Sequence, residues 1–359
     1  MREPLPALEV IKAIEHRSPD RVPMMIHFWT HAGNFGDRED QVRAILDEYP
    51  NDMYVASPRM PAQWDDRSDP GHIPGYSWLN TPPPPPSTTA RGHDAQVAIE
   101  DWSQLDDILA AWPDAHLPQM FEGVKADMEA NAAGRYRLMT WWFCFYERLW
   151  SLRGMENILC DFYTDPEPLC RLMDALTDFY CEVIRRAGKE VNANGIFTSD
   201  DIGMQTGPMF GPEIFRKFFK PRYKKLIDTA HEQNLHFWLH TCGNVSPFLE
   251  DFIEIGLDVV HPIQKYTMDE REVADRFGGR IAFWAGMDVQ QILPRGTEQQ
   301  VRDEVRFMID TYDSPTGGCM ITVGNATTAD VPVDNLRAFC DEAYEYGIRH
   351  RREFINSGG

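Results

Sequence analysis

Eight short apolar segments, most of them followed by a helical pattern, are the feature that most restricts how this chain can fold. Short apolar segments of this kind are typical of strands that are buried on both faces. Strands that alternate with helices favour a parallel sheet, and a count of eight predicts one (β/α)8 barrel, a TIM barrel, over residues 1–359. The predicted strands are 21–28, 52–57, 136–144, 195–199, 235–241, 259–264, 281–286 and 319–324.

Two sequences with the pattern of a capping box predict where helices begin. Thr164-Asp165-Pro166-Glu167 precedes a long apolar stripe, and Thr297 with Gln300 precedes a helix that we expect to end near residue 312. A last helix is predicted over 333–345. These helices would pack outside the sheet.

The segment 58–93 has no helical or strand periodicity and contains five consecutive prolines at 82–86. A proline run of this length is extended. The aromatic residues Trp64, Tyr76 and Trp78 favour an ordered excursion near the barrel mouth, and a linker between two domains is the alternative.

The formal net charge of -21 excludes nucleic acid as a partner, because phosphates attract Lys and Arg. The same charge argues against an anionic membrane surface, and no apolar run approaches the roughly 18 residues of a membrane helix. The seven cysteines are scattered and form no close pairs, which indicates a reducing compartment. We therefore expect a cytoplasmic protein, as a monomer or a homodimer.

The predicted strand 235–241 runs into the sequence His240-Thr241-Cys242-Gly243-Asn244. Side chains two residues apart on a strand point to the same face, so an imidazole and a thiol would lie side by side. The carboxyl end of a parallel strand is where barrel proteins bind ligands. The alternative is that His240 and Cys242 are ordinary core residues.

Polar residues at the other strand ends would meet at the same mouth. His and Cys suit zinc, and a carboxylate can complete a site that keeps one position open. Asp200 and Asp201 are adjacent, so only one can face the cavity, and helix capping is the alternative for both. His261 precedes a proline and is a ligand or a packing residue. The full set is His27, Asp200, Asp201, His240, Cys242, His261, Gln264, Asp288 and Asn325.

Over residues 5–350 the sequence resembles the uroporphyrinogen decarboxylase superfamily. This resemblance implies a (β/α)8 barrel, in agreement with the strand count. The motifs that carry it are Tyr163–Glu167, Ser199–Gln205, Pro212–Phe219, His240–Asn244, Ile253–Asp258, Pro262–Gln264, Gly286–Gln290 and Asp330–Pro332.

The superfamily has two chemistries. Its decarboxylases need no metal and grip the substrate's carboxylates with two arginines after the first strand, where this chain has 27–34 without any arginine. The other branch is similar to zinc-dependent, corrinoid-linked methyltransferases with an H-x-C…C ligand pattern, whose first half matches His240 and Cys242. Asn325 aligns with the last cysteine of that pattern. Cys319, His261 and Asp201 therefore compete as the third ligand, and the alternative is that the protein holds no metal.

The resemblance implies an enzyme that moves a methyl group between a corrinoid carried by a separate protein and a thiol or small methylated compound, such as a methoxy-aromatic one. Zinc would act as a Lewis acid. A uroporphyrinogen decarboxylase and a non-catalytic metabolite-binding barrel remain alternatives. The expected catalytic residues are Asp200, Asp201 and His27, and the expected substrate-binding residues are Trp29, Trp141, Trp142, Gln264, Asp288 and Asn325.

Overall fold

A curled parallel sheet forms the centre of the computed structural model, which describes residues 2–68, 72–83 and 97–357. Seven strands form this sheet in the spatial order β1-β4-β5-β6-β7-β8-β9, and β2 pairs with β3 apart from it. The predicted parallel α/β barrel fold is confirmed. The strands are β1 Met53–Ala56, β2 Ala62–Trp64, β3 Ser77–Leu79, β4 Tyr136–Trp141, β5 Gly195–Ser199, β6 His236–His240, β7 Val259–His261, β8 Ala282–Met287 and β9 Cys319–Val323.

The predicted first strand, 21–28, is reduced to a single parallel bridge between Met24 and Ile321. The Ile321 N–H donates to the Pro23 carbonyl at 2.8 Å, and the Asp52 N–H donates to the Met24 carbonyl at 3.2 Å. This short segment therefore lies between β9 and β1 and closes the circle. A longer ladder is prevented in part by Pro23, which has no N–H to donate.

Helices surround the sheet and follow most of its strands. They are α1 Ala7–Ile14, α2 Glu39–Glu48, α3 Leu105–Ala110, α4 Val124–Asn131, α5 Tyr146–Arg153, α6 Met155–Thr164, α7 Pro166–Val191, α8 Pro212–Ile214, α9 Lys220–Glu232, α10 Ser246–Glu254, α11 Glu270–Phe277, α12 Ile292–Arg295, α13 Glu298–Tyr312 and α14 Val333–Ser357. A π-helical turn, Phe215–Phe219, joins α8 to α9.

The structure confirms one of the two predicted capping boxes. Gln300 N–H donates to the Thr297 hydroxyl, and the Gln300 side chain accepts from Thr297 N–H at 2.8 Å. The predicted capping box at Thr164 is wrong, because Thr164 is the last residue of α6 and its hydroxyl donates to the Cys160 carbonyl at 3.3 Å. The last helix also continues twelve residues beyond the predicted end at 345.

Large aromatic side chains fill the inside of the barrel. The rings of Trp238 and Trp284 meet edge to face at 5.4 Å, and Phe197 meets Trp284 in the same way at 5.4 Å. All three are buried. They come from three different strands, so their contacts fill the centre of the barrel with side chains.

The excursion 58–93 contains β2 and β3, which pair in parallel. Its Trp78 is buried and packs against Phe179 and Tyr180 of α7, with the Arg148 guanidinium 5.2 Å from its ring centre. Residues 69–71 and 84–93, with most of the proline run, lie outside the described residues. The position of the excursion near the barrel mouth stays a prediction.

None of the described helices has the length and apolar character needed to cross a membrane.

Candidate active site

The carboxyl ends of β5 and β6 bring together three side chains of the types that can bind a metal ion. Ser199 pairs with His240 across the two strands, so the residues that follow each strand emerge at one edge. Donor atoms of Asp201, His240 and Cys242 all lie within 4.8 Å of one another. Within this donor set, His240 Nε2 lies 3.4 Å from Cys242 Sγ and 3.5 Å from Asp201 Oδ1.

This donor set fits a zinc ion. Ligands that lie about 2.0–2.3 Å from a tetrahedral ion are about 3.3–3.8 Å from each other, which is the spacing of both measured pairs. Nitrogen, sulfur and carboxylate oxygen are the ligands that zinc accepts, and three protein ligands leave a fourth position open for chemistry. Of the competing third ligands, Asp201 is the one that lies in the cluster.

Two glycines hold the loops of this site against each other. A Cβ at Gly203 would lie 2.5 Å from the Cys242 carbonyl oxygen, and a Cβ at Gly243 would lie 2.3 Å from the Gly203 carbonyl carbon. Gly243 also has a φ of +82°, which favours glycine. The close approach lets Cys242 N–H donate to Asp201 Oδ1 at 2.8 Å, so the backbone itself sets the distance between thiol and carboxylate.

The imidazole of His240 is fixed from behind by His261. The two Nδ1 atoms lie 2.7 Å apart, and His261 Nε2 is 3.2 Å from the carbonyl oxygen of Val323. Trp29 stacks on the His261 ring at 4.9 Å. Both nitrogens of His261 are therefore engaged away from the cluster, which makes it a partner of His240 rather than a ligand.

Burial sets the protonation of the donor set. It raises the pKa of the Cys242 thiol well above its usual range, and the nearby charge of Asp201 raises it further. Burial also lowers the pKa of His240, so its ring is neutral at pH 7. The thiol would become a thiolate only beside a cation, so metal binding would release a proton.

Of the two adjacent acids, Asp200 faces away from the cavity. Its carboxylate accepts N–H bonds from Tyr146 at 3.0 Å and Glu147 at 2.9 Å and a hydroxyl bond from Tyr223. Burial raises its pKa to about 6 although these bonds lower it. Asp200 thus caps the start of α5, which gives it a structural role, and its predicted catalytic role stays a prediction.

Glu147 is a buried acid at this site that sequence reasoning missed. Its Oε2 accepts from the Ser199 hydroxyl at 2.7 Å, and it is 5% exposed. Burial raises its pKa to about 8, and the charges of Asp201 and Asp200 add to this. Glu147 therefore holds a proton at neutral pH. The available signal was its place three residues after the predicted strand 136–144, where barrel enzymes carry functional groups.

Two hollows open beside the cluster. The aromatic hollow, about 260 Å³, is lined by Phe28, Trp29, His31, Trp142, Phe143, Glu147, Ser199, Asp201, His240, Asn325 and Ala326. The polar hollow, about 250 Å³, is lined by Cys242, Pro262, Gln264, Lys265, Gly286, Met287, Asp288, Val289, Gln290, Gly324 and Asn325. Asn325 borders both, and its side-chain N–H donates to Cys242 Sγ at 3.6 Å.

Two of the three tryptophans predicted to bind substrate line the aromatic hollow. Trp142 is 42% exposed and stacks with Phe28 at 5.7 Å, and Trp29 closes the hollow's inner wall. The prediction that Trp141 lines the substrate site is wrong, because its ring turns outward and stacks on Tyr180 of α7 at 5.4 Å. Successive residues point to opposite sides of a strand, so only one of the neighbouring tryptophans could face the hollow.

Gln264 and Asp288 line the polar hollow but are partly used by the backbone. The Gln264 side-chain oxygen accepts from Gly243 N–H at 2.7 Å. The Asp288 carboxylate accepts from three successive N–H groups, beginning with Gln290 at 3.0 Å. Each side chain therefore shapes the turn that borders the hollow.

His27 and Cys319 do not join the cluster. His27 Nε2–H donates to the Leu46 carbonyl at 2.8 Å, which holds the ring towards α2. Cys319 begins β9, is buried and pairs with Phe283, so it lies at the opposite end of the barrel from the mouth. Cys319 is therefore too far from the mouth to be the third ligand. The catalytic role of His27 stays a prediction, because its ring lies outside the cluster but lines a neighbouring hollow with Phe28 and Trp142.

Positive charge is scarce around both hollows. Among the described residues that line the aromatic hollow there is no Lys or Arg. In the polar hollow, Lys265 Nζ is paired at 2.8 Å with each of Glu270 and Glu304. The described walls therefore offer little cationic surface to a substrate with many carboxylates.

A family model described as uroporphyrinogen decarboxylase (URO-D) matches residues 149–346, more than half of the chain. A methylated-thiol–coenzyme M methyltransferase of Methanosarcina mazei is 27% identical over 192 residues, which are 52% of this chain and 47% of that protein. A uroporphyrinogen decarboxylase of Actinobacillus succinogenes is 25% identical over 205 residues, 56% and 55% of the two chains. The chain thus spans about half the length of the curated relatives it matches.

A methylcobamide:CoM methyltransferase of Methanosarcina acetivorans is 24% identical over 178 residues, 49% of this chain and 50% of that protein. Among solved structures, a methyltransferase from Methanosarcina mazei superposes with a TM-score of 0.62 at 14% identity, covering 94% of this chain and 98% of the other. At that identity, the superposition establishes a shared fold.

Proposed function

The chain belongs to the uroporphyrinogen decarboxylase family. Within this family, we propose that it is a zinc-assisted methyltransferase. It moves a methyl group between a thiol or small methylated compound and a corrinoid carried by a separate protein. The observation that carries the proposal is the cluster of Asp201, His240 and Cys242, set at the barrel mouth beside an aromatic hollow. Matches to two kinds of methyltransferase support it.

His240, Cys242 and Asp201 would hold the ion through Nε2, Sγ and a carboxylate oxygen. Zinc bound there would supply a Lewis acid that stabilises a thiolate or polarises an ether oxygen. The N–H of Cys242 and the amide of Asn325 orient the carboxylate and the sulfur by hydrogen bonds. These bonds limit the movement of both ligands before any ion arrives.

The aromatic hollow suits an apolar methyl donor. Phe28 and Trp142 form one wall as a stacked pair, and Trp29 forms another beside His240. Their ring faces exclude water from the methyl group and can stack on an aromatic substrate. Glu147 holds a proton at its carboxyl group on the same hollow and is placed to neutralise a leaving oxygen or sulfur.

Decarboxylation of uroporphyrinogen is the less favoured function of this family for the present chain. The substrate carries eight carboxylates, and the segment 27–34 lacks the two arginines that grip them in the decarboxylases. The scarcity of Lys and Arg around the described hollows points the same way.

Metal analysis tests the centre. Protein prepared without chelator should contain close to one zinc per chain, and Cys242→Ser should lose most of it because a neutral hydroxyl replaces an anionic thiolate. Cys160→Ser, at an exposed cysteine on α6, is the matched control and should keep full zinc. Zinc-free wild-type protein, or full zinc in Cys242→Ser, would overturn the proposed centre.

Methyl transfer tests the reaction. Methylcobalamin serves as the corrinoid probe and a panel of small thiols as acceptors, with loss of the methyl–cobalt absorbance as the readout. Turnover should require zinc and should fall together with zinc content in Asp201→Asn. Zinc-loaded protein that turns over neither thiols with methylcobalamin nor methoxy-aromatic donors with reduced cobalamin would leave a metabolite-binding barrel as the better description.

A further inference from the structure

His240 presents different partners to its two ring nitrogens. Its Nε2 faces the cluster, 3.4 Å from Cys242 Sγ and 3.5 Å from Asp201 Oδ1. Its Nδ1 faces the barrel interior, 2.7 Å from the Nδ1 of His261. A neutral imidazole carries one proton, so placing that proton on one nitrogen decides what the other can do. Only an Nε2 without a proton can donate a lone pair to a metal ion.

The distance of 2.7 Å between the two Nδ1 atoms requires one donor and one acceptor. Which ring donates is decided one step further from the cluster. His261 Nε2 lies 3.2 Å from the carbonyl oxygen of Val323, and a carbonyl oxygen can only accept. His261 therefore carries its proton on Nε2, and its Nδ1 in the neutral ring has a free lone pair.

The surroundings of His261 favour that neutral ring. The side chain is 1% exposed, Trp29 stacks on it with ring planes 10° apart, and Trp284 lies 4.7 Å away. A second proton would bury a positive charge at this site, which is costly. His261 Nδ1 thus accepts from the Nδ1–H of His240, and His240 Nε2 is left unprotonated towards Asp201 and Cys242.

We propose that His261 is a positioning residue: held by the Val323 carbonyl, it fixes the tautomer of His240 and so presents a lone pair at Nε2 to the cluster. The chain of three groups is built into strands β6, β7 and β9, all of which belong to the barrel core. The value of that lone pair to the protein rests on the proposed zinc centre. The tautomer itself does not, because it is set by protein groups alone.

Nitrogen NMR of metal-free protein tests the tautomer directly. In protein labelled with 15N-histidine, long-range proton–nitrogen correlations separate the Nδ1–H from the Nε2–H form of each of the 11 histidines. His240→Gln and His261→Asn assign the two rings by loss of their signals. The expected result is Nδ1–H for His240 and Nε2–H for His261. An Nε2–H form of His240 in the wild-type protein would prove the inference wrong.

A matched pair of variants separates positioning from packing. Asn and Leu have the same branched arrangement of four side-chain heavy atoms and both remove the ring that stacks on Trp29, but the amide oxygen of Asn can accept from His240 Nδ1–H. His261→Leu should let His240 populate the Nε2–H form and weaken the binding of zinc alone by about 10–100-fold, the usual effect of losing such a partner. His261→Asn should keep a zinc affinity close to that of wild type, because the partner of His240 Nδ1–H is retained.

Each outcome separates this inference from the proposed function. If both variants weaken zinc equally while His240 keeps its tautomer, His261 acts by packing alone and the inference is wrong. If wild-type protein shows the expected tautomers but binds no zinc, the proposed centre fails and the tautomer chain stands. If His261→Leu does not fold, the wild-type NMR result still decides the tautomer.

Discussion

The contact between Gly203 and Gly243 gives the most specific prediction about the site. Gly203→Ala adds one methyl group whose carbon would lie 2.5 Å from the Cys242 carbonyl oxygen, 2.7 Å from the Gly243 carbonyl carbon and 2.8 Å from the Asn244 nitrogen. All three are backbone atoms, so no side chain can rotate away. The φ of Gly203 lies outside the left-handed region, and the expected effect is therefore purely steric.

The size of the effect follows from these distances. Ordinary contact begins near 3.4 Å, so the loop that carries Cys242 must move by about 0.9 Å. Overpacking of this kind costs about 1–3 kcal/mol of unfolding free energy. Metal sites tolerate errors of only about 0.2 Å in their ligand distances. The shift should also stretch the 2.8 Å bond between Cys242 N–H and Asp201, and zinc affinity should fall by at least about tenfold.

Urea unfolding and zinc titration of purified protein measure the two effects. Gly207→Ala is the matched control, because it lies in the same loop and a Cβ there would have nothing within 4 Å. It should leave both stability and zinc affinity near wild type. If Gly203→Ala matches Gly207→Ala in both measurements, the close contact of the two loops does not hold the site.

Three further predictions concern stability and substrate. The hydrogen bond to Asp258 raises the pKa of His231. The stabilisation that this bond gives the folded protein is therefore present below about pH 6.5 and is lost as pH rises through the raised pKa. In urea titrations, His231→Gln should lower the unfolding free energy more at pH 6 than at pH 9. Tyr223→Phe removes a hydroxyl donor from the buried Asp200 carboxylate and should cost about 1.5–3 kcal/mol in the same assay. An unchanged midpoint would show that this hydrogen bond does not stabilise the protein. Uroporphyrinogen, incubated anaerobically with the protein, should give no coproporphyrinogen, and turnover near one per second would refute our substrate argument.

The sequence predicts the barrel well because apolar runs report burial directly. Seven of the predicted strands correspond to strands of the sheet. The segment 21–28 has the same apolar character, but pairing depends on free N–H groups, and Pro23 supplies none. Thr164 has capping-box spacing, yet α6 already occupies that position, so a tertiary arrangement overrides a local pattern.

The sequence predicts only the part of the site whose residues lie close together in the chain. His240 and Cys242 share a short stretch of one strand and its end, so their spacing in sequence fixes their proximity. The choice of Asp201 over Asp200 depends on which acid turns towards the start of α5, and no local pattern records that. Glu147 is acidic in sequence but becomes a proton carrier only through burial beside two other acids, which is a property of the folded chain.

The capping of α5 by Asp200 has a consequence for attempts to alter substrate preference. Asp200 ties the end of β5 to the first turn of α5, so the backbone around Asp201 and Glu147 is shared by a strand and a helix and cannot be remodelled at one without disturbing the other. Trp142, by contrast, is half-exposed, and its ring contacts other aromatic rings at the rim of the hollow. Libraries of variants that aim to admit bulkier methyl donors should therefore diversify Phe28 and Trp142 at the rim of the hollow. They should leave Asp200, Asp201 and Glu147 unchanged.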